Sequence, residues 1–148
     1  ETFDQTMQKT DARFEDNSRL AIHQGKRNEF CEIPGNNLYS TDLHCIGFKS
    51  EIMNHSNYMF IGIILQSKPL AVDSFQQPSS YGWGMDNIFY LNGIKKRFDY
   101  DMREDDIIDF IINCNKRRTD LYNRRTKEFY EISAIDSRKC PFPWQLNI

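Results

Sequence analysis

The stretch that decides the fold is Asp105–Ile132, DDIIDFIINCNKRRTDLYNRRTKEFYEI. Its first third is apolar enough to be buried, and six basic residues follow: Lys116, Arg117, Arg118, Arg124, Arg125 and Lys127. A helix would carry Ile107, Ile108, Phe110, Ile111 and Ile112 on several faces, and β-branched residues are poor helix surface formers. A strand sorts them. Side chains alternate along a strand, so Ile108, Phe110, Ile112 and Cys114 share one face and Ile107, Asp109, Ile111 and Asn113 the other. Thr119, Leu121 and Asn123 then alternate with Asp120 and Tyr122. On this reading the basic residues sit where the chain reverses, at NKRR and NRRTK, where water solvates charge. The competing reading of Arg117, Arg118, Arg124 and Arg125 is a patch for phosphate or RNA.

The rest of the chain has the same texture. Short runs rich in aromatic and β-branched residues alternate with Gly, Pro, Asn, Asp and Ser, and aromatics make up 14% of the sequence. The runs RLAIHQ, NEFCEI, LHCIGFKSEI, YMFIGIILQ, SYGWGM, IFYLNG, IIDFIINCN, RTDLYNR, KEFYEI and CPFPWQLNI read as strands. YMFIGIILQ, the most apolar, is expected to be central. Pro34-Gly35-Asn36-Asn37 reads as a turn. Segments 53–57, 66–80 and 92–104 read as loops, and ARFEDNSRLAIHQG as an opening strand pair. Turn signals every 8–15 residues or so point to an all-β, antiparallel sandwich or barrel.

The 148 residues fit one domain. A net charge of −2 argues against a dedicated polyanion binder. No apolar run approaches the roughly 20 residues that a membrane helix needs. The polar opening ETFDQTMQKTDARFEDN has no signal-peptide pattern, and without an initiator Met the chain reads as a piece of a longer protein. Cys31, Cys45, Cys114 and Cys140 are widely spaced and contain no C-x-x-C pair, so they read as reduced, mostly buried thiols, with no metal and no cofactor. Asn54-His55-Ser56 matches a glycosylation sequon by pattern alone.

No catalytic constellation emerges. His23, His44 and His55 lie in separate segments. His44 adjoins Cys45, but neighbours on a strand point to opposite faces and cannot easily share a proton. Glu104, Asp105, Asp106 and Asp109 lack the ligand spacing and turn glycine of a Ca²⁺ loop and read as a solvated turn. No phosphate-cradling motif is present. The chain is therefore expected not to be an enzyme.

The decisive stretch resembles the SPRY family, whose members carry G-D-V-I-G-x-x-L-D-x-x-x-x-x-L-x-F-Y-x-N-G. Asp106, Ile107 and Ile108 fall on D-V-I, Ile112 and Asn113 on L-D, and Leu121 and Tyr122 on F-Y. YSTDLHCIGFKSEI sits where the strand after S-x-G-x-H-Y-W-E-V would lie, with His44 on its His. FIGII is similar to the I-G-V strand, SYGWGMDNIFYLNG to the Trp-Gly-Trp segment with its Asn-Gly turn, and CPFPWQLNI to the last strand, Y-P-F-V-x-L. Asp105 and Asp109 replace family glycines, and Ile46 stands where Trp is usual. Arg124-Arg125 replaces the Asn-Gly turn, so that hairpin must be wider or differently shaped. The resemblance covers about residues 40–148; residues 1–38 match loosely, as an N-terminal extension to a core of 39–148.

The resemblance implies a bent, jelly-roll-type antiparallel sandwich that binds a protein or peptide through loops at one edge. It further implies a cytoplasmic, intracellular adaptor, such as the substrate-recognition part of a ubiquitin ligase, and a monomer when isolated. The candidate partner-binding residues are Lys68, Leu70, Val72 and Phe75 in the long, proline-containing segment 66–80, Tyr81 and Trp83 beyond it, and Arg124 and Arg125. Tyr81 and Trp83, two apart on a strand, share a face and form either an aromatic platform or core; Trp144 reads as core. A lectin-like sandwich stacking a sugar on Tyr81 or Trp83 is the alternative.

Overall fold

Asp105–Ile132 folds as extended chain doubled back twice. The structure, a computed structural model, describes residues 1–5, 12–24, 32–49, 59–66, 74–84 and 87–148. Their strands are β1 (Ala12–Glu15), β2 (Leu20–His23), β3 (Pro34–Tyr39), β4 (Leu43–Lys49), β5 (Phe60–Leu65), β6 (Tyr81–Gly84), β7 (Ile88–Leu91), β8 (Ile94–Arg97), β9 (Ile107–Asn113), β10 (Arg118–Asn123), β11 (Glu128–Ile132) and β12 (Trp144–Asn147). One 3₁₀ turn spans Ser74–Gln76. The strands form a small sheet β1-β2, a four-stranded sheet β11-β10-β9-β4 and a six-stranded sheet β3-β12-β5-β6-β7-β8. Every strand pair is antiparallel.

The two large sheets enclose the core. The four-stranded sheet supplies Ile108, Phe110 and Ile112 from β9, Leu121 from β10, and Tyr130 and Ile132 from β11. The six-stranded sheet supplies Ile61 and Ile63 from β5, Tyr81 and Trp83 from β6, and Trp144 and Leu146 from β12. The edge of Trp83 meets Phe110 at 5.9 Å between ring centroids, an arrangement worth about 0.5–1.5 kcal/mol beyond area burial. On the outer face, Phe60, Phe75, Ile88 and Tyr90 form a second cluster. Gly62 and Gly82, paired on β5 and β6, are required there: a Cβ on either would collide with the Phe60 ring and with backbone.

The widened hairpin is present. Arg124–Lys127 turn between β10 and β11, with Lys127 in left-handed backbone and its N–H donating to the Asn123 carbonyl at 2.8 Å. The opening strand pair also forms, as β1 and β2, and Ala12, Phe14 and Ala21 pack on the core.

Three expectations fail locally. Pro34-Gly35-Asn36-Asn37 is no turn; it begins β3, which pairs with β12. Proline is tolerated as the first residue of an edge strand, and residues 1–5 run alongside: the Asp4 N–H donates to the Pro34 carbonyl and the Asn36 N–H to that of Thr2. Distant pairing overrode a local turn signal. The segment 92–104 is only partly a loop, because Asn92-Gly93, both at positive φ, make the tight turn that launches β8. The last strand covers only Trp144–Asn147. Of NEFCEI, Asn28–Cys31 lie outside the described residues, while Ile33 exchanges backbone hydrogen bonds with Ile148. Segment 53–57 and the sequon also lie outside them.

Candidate partner-binding surface

Lys68, Leu70 and Val72 fall within 67–73, outside the described residues. The C-terminal end of the same segment is anchored. Phe75, 6% exposed, packs on Tyr90 at 5.3 Å and Phe60 at 6.0 Å, and the Asn147 side chain donates to the Ser74 hydroxyl at 3.0 Å. Phe75 is therefore a root for the segment and not an exposed anchor. Tyr81 and Trp83 are core: Trp83 is 2% exposed, and the Tyr81 hydroxyl accepts from the Asp136 N–H at 3.3 Å. Burial pushes the Tyr81 phenol above its ordinary pKa. Neither ring offers a face to a peptide or a sugar.

The arginines were expected in open water, and four of them are engaged. Arg125 clamps the carboxylate of Asp106 with Nε to Oδ1 at 2.5 Å and Nη2 to Oδ2 at 2.9 Å, and reaches Asp101 at 3.1 Å. Asp106 is 3% exposed and also accepts from the Asn123 side chain at 2.8 Å and the Arg103 N–H at 2.9 Å. Burial raises the pKa of this carboxyl, but the bonds from Arg125, Arg103 and Asn123 outweigh it and hold the group at about 2. Arg124 grips Asp109 with two bonds, at 2.8 and 2.7 Å. Arg117 lies over the rings of Phe142 and Trp144, at 4.4 and 5.5 Å from their centroids, and donates to the Cys140 carbonyl at 3.0 Å. Arg118 spans Asp120 at 3.0 Å and Glu131 at 2.6 Å.

Arg124 and Arg125 are thus structural in this arrangement, and the patch proposed for phosphate has already spent its guanidinium groups on the fold. The acidic group is not merely a solvated turn either: Asp106 is buried in its clamp, Asp109 holds Arg124, and Asp105 pairs with Lys49 at 2.9 Å. The clue to these pairs was the acidic cluster preceding a basic one, but the register that joins them appears only when the sheet is assembled.

His44 and Cys45 point to opposite faces of β4, half-buried and exposed respectively, and the His44 ring bonds the Thr41 carbonyl at 2.7 Å. Cys45, Cys114 and Cys140 are free thiols, with Cys31 outside the described residues. Among the described residues no group of three His, Cys, Asp or Glu is placed to hold a metal, and no helix is long and apolar enough to cross a membrane.

What remains exposed is a different set. Every residue of β8 is open, Ile94 at 60%, and beside it Phe98 is 42% exposed while touching Phe89 and Tyr130. Phe129 on β11 is also open.

Solved structures share this architecture, among them two SPRY domains. The PSpry domain of TRIM65 superposes with a TM-score of 0.73 over 99% of this chain and 84% of that one, at 14% identity. The SPRY domain of human HERC1 gives 0.61 over 78% and 71%, at 10% identity. The fold is that of a SPRY domain. No family model and no curated protein sequence matches the chain. At such identities the likeness to SPRY structures concerns the fold and transfers no site residue.

Proposed function

We propose that this SPRY-like sandwich is a protein-interaction module, recognising a peptide or protein through loops at one edge, without chemistry of its own. We further propose that it works as the substrate-recognition part of a larger protein such as a ubiquitin ligase. The observation that carries the reading is the mounting of segment 66–80. It leaves the central strand β5 and returns at the buried Ser74–Phe75 root, so a long, proline-containing stretch bearing Lys68, Leu70 and Val72 is tied to the rigid sheet at both ends. Tethering of this kind lowers the ordering entropy that a binding loop must give up. A few apolar anchors would carry affinity, with charge setting rate and selectivity.

The test is selection of displayed random peptides on the chain, followed by affinity measurement with Leu70→Asp and Val72→Asp. A peptide consensus that binds the parent and is lost in both variants, at unchanged melting temperature, is the expected result. Absence of any selected peptide, together with sugar binding on a glycan array, would replace this reading with the lectin-like one, although the burial of Trp83 leaves that alternative without its stacking face.

A further inference from the structure

The structure points to a second recognition element, the free edge of β8, and we propose that it takes an extended acidic peptide as an added strand. This rests on the reading of the domain as an interaction module and names a partner chemistry for it. Among the described residues β8 ends the six-stranded sheet and has one neighbour, β7. Its register is Leu91 opposite Ile94, Tyr90 opposite Lys95, Phe89 opposite Lys96 and Ile88 opposite Arg97. A two-residue Asn92-Gly93 turn makes Leu91–Ile94 the first hydrogen-bonded pair, and the Phe98 N–H donating to the Asn87 carbonyl at 2.7 Å continues that phase. The backbone groups of Lys95 and Arg97 therefore face away from β7, towards the open side.

The side chains complete the pattern. Lys95 and Arg97 rise on one face, while Ile94, Lys96 and Phe98 lie on the other. Among the described residues none of Lys95, Lys96 and Arg97 has an ion-pair partner, in contrast to the engaged arginines at 117, 118, 124 and 125. The nearest acidic residue in sequence is the exposed Asp99, one negative charge against three positive. Lysines on an edge strand commonly guard against aggregation. The same charges that repel a basic strand, and lose hydration uncompensated against a neutral one, favour an acidic one.

A complementary strand has a readable sequence: apolar, acidic and apolar side chains at alternate positions to meet Ile94, Lys96 and Phe98, and acidic ones between them to meet Lys95 and Arg97. Strand addition of this kind draws affinity from main-chain bonds and selectivity from alternate side chains. The edge also adjoins the root of segment 66–80, because Phe75 packs on Tyr90, directly opposite Lys95, and the Gly93 N–H donates to the Ser80 carbonyl at 3.0 Å.

The displayed-peptide selection is repeated on Lys95→Glu/Arg97→Glu. The parent should enrich cores of three acidic residues flanked by apolar ones, and those peptides should bind the variant at least about tenfold more weakly. In hydrogen-exchange NMR, the Lys95 and Arg97 amides should become protected when such a peptide binds. Unchanged affinity for the variant, or protection elsewhere with these two amides still exchanging, overturns the inference. Peptides lost in Leu70→Asp but kept in Lys95→Glu/Arg97→Glu would leave the module standing and remove the edge site. Single-stranded RNA outcompeting every acidic peptide at β8 would assign the edge to a polyanion and sink the peptide proposal.

Discussion

Asp106→Asn should remove a pH-dependent part of the stability that the clamp supplies. Asn keeps the shape of the side chain but can never carry its charge. The Asp106 carboxyl is held at about 2 in the fold, against an ordinary value of 3.8. One pKa unit corresponds to about 1.4 kcal/mol, so full linkage gives about 2.5 kcal/mol. The Arg125 side chain that grips it is 38% exposed, and solvent screening brings the expectation down to about 1–2 kcal/mol. The sign follows from the depressed pKa: the contribution is complete above the unfolded value and disappears as pH falls through the folded one. Urea unfolding of parent and variant at pH values from about 7 down to 2 measures it. The stability gap between them should hold steady to about pH 5, narrow below about pH 4, and shrink by about 1–2 kcal/mol on reaching pH 2. A gap that stays constant across that range would show that Asp106 is not an ionised partner of Arg125, and the structural role given to Arg125 would fall with it.

Arg125→Ala should lower the melting temperature at neutral pH more than Arg124→Ala, because it abandons Asp106, 3% exposed, whereas Arg124→Ala leaves Asp109, 13% exposed and nearer to water; equal shifts from the two would contradict the clamp. In a Cys31→Ser background, Cys45 should react with a thiol reagent in the native protein, while Cys114 and Cys140 should wait for unfolding. Burial pushes the Cys140 thiol up to about 12, so rapid native labelling of three thiols would refute the packing of the 140–144 region.

Strand identity was legible where one face is buried and the other wet. Ile108, Phe110 and Ile112 alternate with residues of mixed polarity, and β9 was readable for that reason. β3 was not, because its turn-forming residues are held extended by Leu38 and Tyr39 pairing with β12 and by the Gln145 side chain donating to the Gly35 carbonyl, a contact across 110 positions. β8 was hidden because Ile-Lys-Lys-Arg has no alternation to detect; its assignment comes from the turn before it. Among the site residues, Trp83 showed the limit of period-two reading. Its pairing with Tyr81 on one face was correct, but a strand pattern cannot say which face meets the second sheet.

Among the described residues, the basic groups divide by whether an ion pair or a cation–π contact engages them, and this division bears on where recognition happens. A guanidinium already bonded on two sides must give up those bonds before it can serve a partner, and at Arg125 that would strand the buried Asp106. Such a cost subtracts from any binding energy gained. Among the described residues, Lys95, Lys96 and Arg97 are exposed and have no ion pair to lose. Charge count alone therefore misplaces the surface: the four arginines of the most basic stretch are already engaged, and a short edge strand is where cationic groups remain open to a newcomer.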